Sequence, residues 1–215
     1  MGVSMGGCHL ECAPPPSRPS PRPPEKARMT MKRRLLPLLL LCAATPVAAQ
    51  DASSYEGITW RQVAERGIEV RGGEATTTVD APIARVLEQV RDYASYDDYL
   101  PHFRQSRVLG ERGDRALVYL QVEVLHGAAT LWAQVAIRAR EENGKHTIEA
   151  RMMRGNMDAF LARWEVEAVS ESRTRVTFTL AADPQIPAPD SVVAGENEKF
   201  AKKAIRALRN RLRGS

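Results

Sequence analysis

Most of this 215-residue chain lacks the residues that usually carry chemistry. All three cysteines, Cys8, Cys12 and Cys42, precede Gln50, so the chain from Gln50 onward can form no disulfide and no thiolate metal site. Of the four histidines, only His102, His126 and His146 follow Gln50. They are scattered, with no second His, Cys or carboxylate at metal-ligand spacing, so neither a metal site nor a cofactor is expected. Ser106, Ser170, Ser172 and Ser191 lack an elbow motif, which leaves seryl nucleophile chemistry without support. Glu123 and His126 lie near one strand end, but their spacing of three puts them on opposite faces of a regular strand. No catalytic residue is assigned.

Net charge is missing as well. Seven of the 31 Lys and Arg and two of the 26 acids precede Gln50, leaving 24 of each beyond it. The whole chain's +5 therefore resides in its first 49 residues. A nucleic-acid partner is not expected, because that would need a basic footprint on the folded domain.

Long apolar runs are absent except for one, LLPLLLLCAATPVAA, which follows Lys32, Arg33 and Arg34 and ends in Val47, Ala48 and Ala49. It carries two prolines and falls short of the roughly 20 residues that span a bilayer. A basic start, a short apolar middle and a small-residue end are the marks of a secretory signal, cleaved here near Ala49. Cys42 follows Leu41 where a lipoprotein anchor would need a small residue. Residues 1–28, rich in proline and arginine and upstream of Met29 and Met31, read as a misplaced start or a disordered tail. The expected organisation is thus a tail at 1–28, a signal peptide at 29–49, an N-terminal extension at 50–67 and one domain at 68–215, in a secreted or periplasmic protein.

What is present is clear local patterning. Ile68 and Val70 precede a turn expected at Gly72-Gly73, and the threonine run 76–78 has the β-branched composition of a strand. Asp80 is placed to cap a helix with Pro82 in its first turn. Ile83, Val86, Leu87 and Val90 then form one apolar stripe. Ser95 is placed to cap a short second helix carrying Tyr96 and Tyr99, which Pro101 stops.

Beyond Pro101 the period changes to two. Phe103–Leu109 reads as a strand. Val118, Leu120, Val122 and Val124 alternate with Tyr119, Gln121 and Glu123, and Leu131, Ala133, Val135 and Ile137 alternate with Trp132, Gln134 and Arg138. Asn143-Gly144 marks a hairpin, beside which His146 is expected to face solvent. Ile148, Ala150 and Met152 follow, then Phe160, Ala162, Trp164 and Val166, then Val176, Phe178 and Leu180. Such alternation indicates an antiparallel sheet covered on one side. The cover is a helix of more than twenty residues, capped by Asp190 and ending near Arg213, with Phe200, Ala201, Ala204, Ile205, Leu208 and Leu212 on its apolar face. The expected fold is α+β: a curved antiparallel sheet of about seven strands wrapped around a long C-terminal helix, with two short helices after the first strand.

At this level of detail the chain resembles the START-type helix-grip superfamily, which includes polyketide cyclases, Bet v 1-like proteins and coenzyme-Q-binding START proteins. The matching pieces are Val79–Pro82, the helix leading to Asp92, the segment Tyr96-Asp97-Asp98-Tyr99-Leu100-Pro101, and the strand start Ser106–Leu109. The polyketide-cyclase and coenzyme-Q-binding branch is the most similar. The resemblance implies a cavity between sheet and C-terminal helix, with candidate ligand-binding residues Tyr96, Tyr99, Phe103, Leu120, Val122, Val135, Met152, Phe160, Trp164, Phe178, Phe200 and Ala204. Tyr96 and Tyr99 are candidates for a lid over it. It also implies a carrier of a lipid, isoprenoid quinone or polyketide-like molecule, or else a cyclase or dehydratase-like enzyme using the same cavity. Lys199, Lys202, Lys203, Arg206, Arg209, Arg211 and Arg213 make the C-terminal helix basic, which suits peripheral contact with an anionic membrane surface.

Overall fold

The computed structural model describes residues 55–214 apart from 125, 126 and 128. The expected signal peptide at 29–49, its expected cleavage point and His126 lie outside the described residues. Among the described residues no helix is long and apolar enough to cross a membrane.

Eight strands form one antiparallel sheet: β1 (Thr59–Val63), β2 (Gly72–Val79), β3 (Phe103–Arg112), β4 (Arg115–Val124), β5 (Ala129–Glu142), β6 (Lys145–Gly155), β7 (Met157–Ser170) and β8 (Arg173–Pro184). Their spatial order is β1-β2-β8-β7-β6-β5-β4-β3. Six consecutive strands from β3 to β8 are therefore a meander, and β2 closes against the last of them. Helix α1 (Ile83–Arg91), a single 3₁₀ turn (Tyr93–Ser95) and helix α2 (Tyr96–Tyr99) carry the chain from one side of the sheet to β3 at the far edge. The long helix α3 spans Asp190–Gly214. The expected α+β architecture is present.

The eighth strand, β1, comes from the stretch read as an extension. Its residues are nearly all exposed, so it carries no alternation to read. It is held by its register with β2 and by the Arg61–Glu74 ion pair at 2.7 Å.

Gly72 and Gly73 are not a turn. Both lie in β2, where a Cβ on Gly73 would sit 2.3 Å from Glu198 Cα and one on Gly72 would sit 2.9 Å from the Cβ of Ala181. Glycine is needed here for close approach. Beside this contact the buried Asn197 donates to the carbonyls of Arg71 and Ala182 and accepts from the Ala182 amide. A side chain from α3 thus bridges the start of β2 and the end of β8, and the helix is seated there.

The helix starts differ from expectation in their chemistry. Asp80 does not cap α1; Pro82 occupies the N-cap, and its carbonyl accepts from Arg85 and Val86. Ser95 holds the N-cap of α2 without a side-chain bond. Asp190 lies inside the first turn of α3, whose first amides donate to the Pro189 carbonyl. Proline or its neighbour sets the geometry at both long helices, and backbone carbonyls do what side-chain caps were expected to do. The stripe of α1 is as read, with Val86 and Val90 fully buried and Ile83 and Leu87 packed against the core.

The alternation holds along the meander. Val118, Val135, Ile148, Trp164, Val166, Val176 and Phe178 lie on the inner face, in the hydrophobic core, at 3% exposure or less. On the opposite face Tyr119 and Trp132 stack at 6.2 Å with the Arg107 guanidinium 5.9 Å from the Tyr119 ring. Part of that outer face is also covered. Glu65, between β1 and β2, pairs with Arg163 at 2.6 Å, and Leu161 and Ala181, on the same face as Arg163, are fully buried.

Candidate ligand-binding trough

Burial along the inner face is graded, and the gradient has the same direction in five strands of the meander, β4 to β8. On β4 exposure rises from Val118 through Leu120 to Val122 and Val124; on β5 it rises from Val135 back to Leu131. On β6 it rises from Ile148 through Ala150 to Met152, on β7 from Trp164 back to Phe160, and on β8 from Phe178 through Leu180 to Ala182. The antiparallel register places these partly open ends together, since Val122 pairs with both Phe103 and Leu131, and Phe160 pairs with Ala182. One end of the sheet–helix interface is a closed core. The other is an apolar trough lined by Phe103, Val122, Leu131, Met152, Phe160 and Phe200, all half-buried.

Aromatic rings connect the two ends. Trp164 meets Phe178 at 4.3 Å, Phe178 meets Phe200 at 6.3 Å, Phe200 meets Phe103 at 6.2 Å and Phe103 meets Tyr96 at 6.3 Å. Tyr96 then meets Tyr93 and Tyr99, each edge-on at 6.0 Å. Offset and edge-on ring pairs of this kind hold their partners at fixed angles.

The candidate residues divide between these regions. Phe103, Val122, Met152, Phe160 and Phe200 line the trough; Leu120, Val135, Trp164, Phe178 and Ala204 are buried beneath it or beyond it. Tyr96 lies in the core, its hydroxyl donating to the Val90 carbonyl at 2.6 Å. Tyr99 is half-buried at the helix surface, with the Arg211 guanidinium 4.7 Å from its ring. Burial raises the pKa of the Tyr96 phenol well above its usual value, with Tyr99 and Tyr93 adding to the effect and a hydrogen bond with Trp164 opposing it. Tyr99 is also raised by burial, against the pull of Arg211. Both phenols are held protonated, as donors.

Polar groups close to the site are committed to backbone. The Ser106 hydroxyl donates to the Tyr93 carbonyl, its amide donates to Asp97, and all three bonds of Asn197 go to the main chain. Glu123, half of the acid/base pair weighed above, is bound to Arg104 at 2.6 Å, and that bond lowers its pKa. His146 does not face solvent: its side chain is 15% exposed, on the inward parity of β6, with Nδ1 3.6 Å from Glu141. Among the described residues no three His, Cys, Asp or Glu side chains are grouped so as to hold a metal ion.

A family model described as polyketide cyclase / dehydrase and lipid transport matches residues 79–212. The chain belongs to this family. The match starts with the last residue of β2 and runs through α3, so it spans every element that builds the trough. No curated protein matches the chain by sequence. Several solved structures share its fold. One is a STAR-related lipid transfer protein fragment from Xanthomonas axonopodis, 16% identical, with a TM-score of 0.64, covering 74% of this chain and 94% of that one. Another is human StAR-related lipid transfer protein 5, 9% identical, with a TM-score of 0.65, covering 74% and 83%. A START superfamily protein from Mycobacterium smegmatis is 19% identical, with a TM-score of 0.58, covering 66% and 96%.

Within this family member, sequence reading missed Leu131 as a lining residue although its strand parity was assigned. The signal was available in register: Leu131 faces the same space as Val122, its direct partner. Two further features, the contact of His102 with Lys203 and the cleft beside it, had no signal in sequence, because they join residues 101 positions apart.

Proposed function

We propose that this family member is an exported binding or carrier protein for a hydrophobic small molecule, a lipid, isoprenoid quinone or polyketide-like aromatic, held in the trough. The observation that carries the reading is the graded burial: half-open apolar side chains from five strands and α3 face one space. Apolar concave surface with solvent access is where small ligands gain most from leaving water. The printed functions of the family and of the lipid transfer proteins that share the fold support the same direction. Export rests on the leader pattern at 29–49.

The alternative, a cyclase or dehydratase-like enzyme, needs a proton-exchanging group inside the trough. Apart from His146, which pairs with Val166 at the closed end, the inward side chains named above on β4 to β8 are aliphatic, aromatic or thioether, which favours holding a ligand over transforming one. A basic α3 also suits delivery at an anionic membrane surface, with Lys199 and Arg213 exposed on it.

Native mass spectrometry of the protein from its own host tests the reading. The expected result is a co-purified apolar mass or a mass shift with lipid extract. No adduct in either condition overturns it.

A further inference from the structure

Beside the trough, between α2 and α3, lies a second concavity of about 370 Å³, lined by Tyr99, Pro101, Lys203, Arg206, Ala207, Asn210 and Arg211. Three of its lining residues are cations and none is an acid. Arg211 is a fixed part of the wall: it donates to Gln89, lies 3.5 Å from Asp92 and packs on Tyr99. Arg206 lies 4.5 Å from the Tyr55 ring. Lys203 lies 3.2 Å from His102 Nε2.

That last contact links the cleft to the trough. His102 adjoins Phe103, and Lys203 is one turn from Phe200; the two rings, 6.2 Å apart, line the trough. Pro101 and Lys203 thus belong to the cleft while their neighbours belong to the apolar space. Crowding of positive charge at this end of α3 also shows in Arg209, whose pKa is lowered by burial and by Arg213 and Arg206. An anion here would relieve that repulsion and meet donors arranged around it.

We propose that the cleft holds the anionic head, carboxylate or phosphate, of an amphiphile whose apolar part lies in the trough. This rests on the trough reading and narrows its ligand class from hydrophobic molecules at large to anionic amphiphiles. Lys203 and Arg206 contact the head, and Arg211 positions the wall.

Calorimetric titration of the full domain with dodecanoate, dodecyl phosphate and 1-dodecanol tests this, each below its micellar concentration. The anionic probes are expected to bind about tenfold or more tighter than dodecanol, the value of one charge-assisted hydrogen bond. Whichever of the two binds tighter identifies the head. In the double variant Lys203→Gln, Arg206→Gln that advantage should vanish while dodecanol binding is unchanged. The control Lys199→Gln, Arg213→Gln, with the same charge loss off the cleft, should keep it. Equal affinity for dodecanol and both anions overturns the head site and leaves the trough reading standing; no binding of any probe overturns both. If the cleft variant loses only co-sedimentation with phosphatidylglycerol vesicles and still prefers the anionic probes, the cleft is a membrane contact and the proposal is wrong.

Discussion

The two ends of the inner face have the same sequence pattern and different physics. Around Val118, Val135, Trp164 and Val176 the alternating apolar residues join Val86 and Val90 of α1 in the core and are buried. Around Val122, Leu131, Met152 and Phe160 the same alternation continues, in the same strands, yet the side chains stay half open. The difference comes from what packs over each end. Helix α1 lays Val86 and Val90 into the closed core, whereas Asn197 and the Gly73 contact seat α3 against the ends of β2 and β8 that lie beside the trough. Alternation reports which face is dry but not what dries it.

The largest effect should come from cutting into the closed end. Trp164→Ala removes a side chain that is 3% exposed and in ring contact with Phe178, and should cost about 3–5 kcal/mol in urea unfolding. A loss below about 1 kcal/mol would show that this end is as open as the other. Next in size is Gly73→Ala, which attacks the seat itself: the added methyl has only the Glu198 and Asn197 backbone to displace. We expect a loss of about 1–3 kcal/mol, with weaker protection from hydrogen exchange in the first half of α3. A neutral outcome would mean that the close approach does not set the position of the helix.

Tyr96→Phe probes the ring chain between the ends. It deletes the donor to the Val90 carbonyl and should cost about 1 kcal/mol at neutral pH. The pH dependence carries a sign. Burial raises the folded pKa of Tyr96 above the value near 10 of an unfolded tyrosine, so its protonated form is favoured by folding. The stability this gives is complete below about pH 10 and is lost as pH rises from there toward the folded pKa. The wild type should lose urea resistance as pH rises above about 10, the unfolded tyrosine value, and Tyr96→Phe should lose less, Tyr93 and Tyr99 retaining their share. Parallel curves for the two proteins would remove Tyr96 as the source.

What could be read beforehand follows the same division. Strand parity, the α1 stripe, the Asn143-Gly144 turn and the helix laid over the sheet were legible because each depends on neighbours within one element. Illegible were β1, exposed and without a dry side, and the two glycines of β2, whose reasons are strand β8 for Gly72 and helix α3 for Gly73, each more than about 100 positions away. Asn197 looked like one more polar residue on a basic helix. The candidate residues on the strands include both core and half-open positions, because that distinction is made by the helices packed over the sheet, outside any strand's own pattern. The basic residues of α3 were legible as a face, but their enclosure by Tyr99 and Pro101 was not.

The smallest change in stability should be the most informative about ligand binding. Phe160→Ala is the counterpart of Trp164→Ala on the same strand and the same face, four positions toward the open end. Because Phe160 is already half-exposed and packs from one side only, its loss should cost about 1 kcal/mol, well below the 3–5 kcal/mol of a fully buried ring. Its effect on a bound apolar molecule should run the other way. A ligand that binds only the folded state raises Tm further the tighter it binds, as the logarithm of its concentration over Kd, so the Tm increase given by 1-dodecanol should shrink in Phe160→Ala and persist in a closed-end variant mild enough to fold, such as Val166→Ala. The two variants thus separate stability from uptake. If Phe160→Ala unfolds as readily as Trp164→Ala, the half-open end is core in solution; if both variants keep the full dodecanol shift, the apolar molecule sits elsewhere.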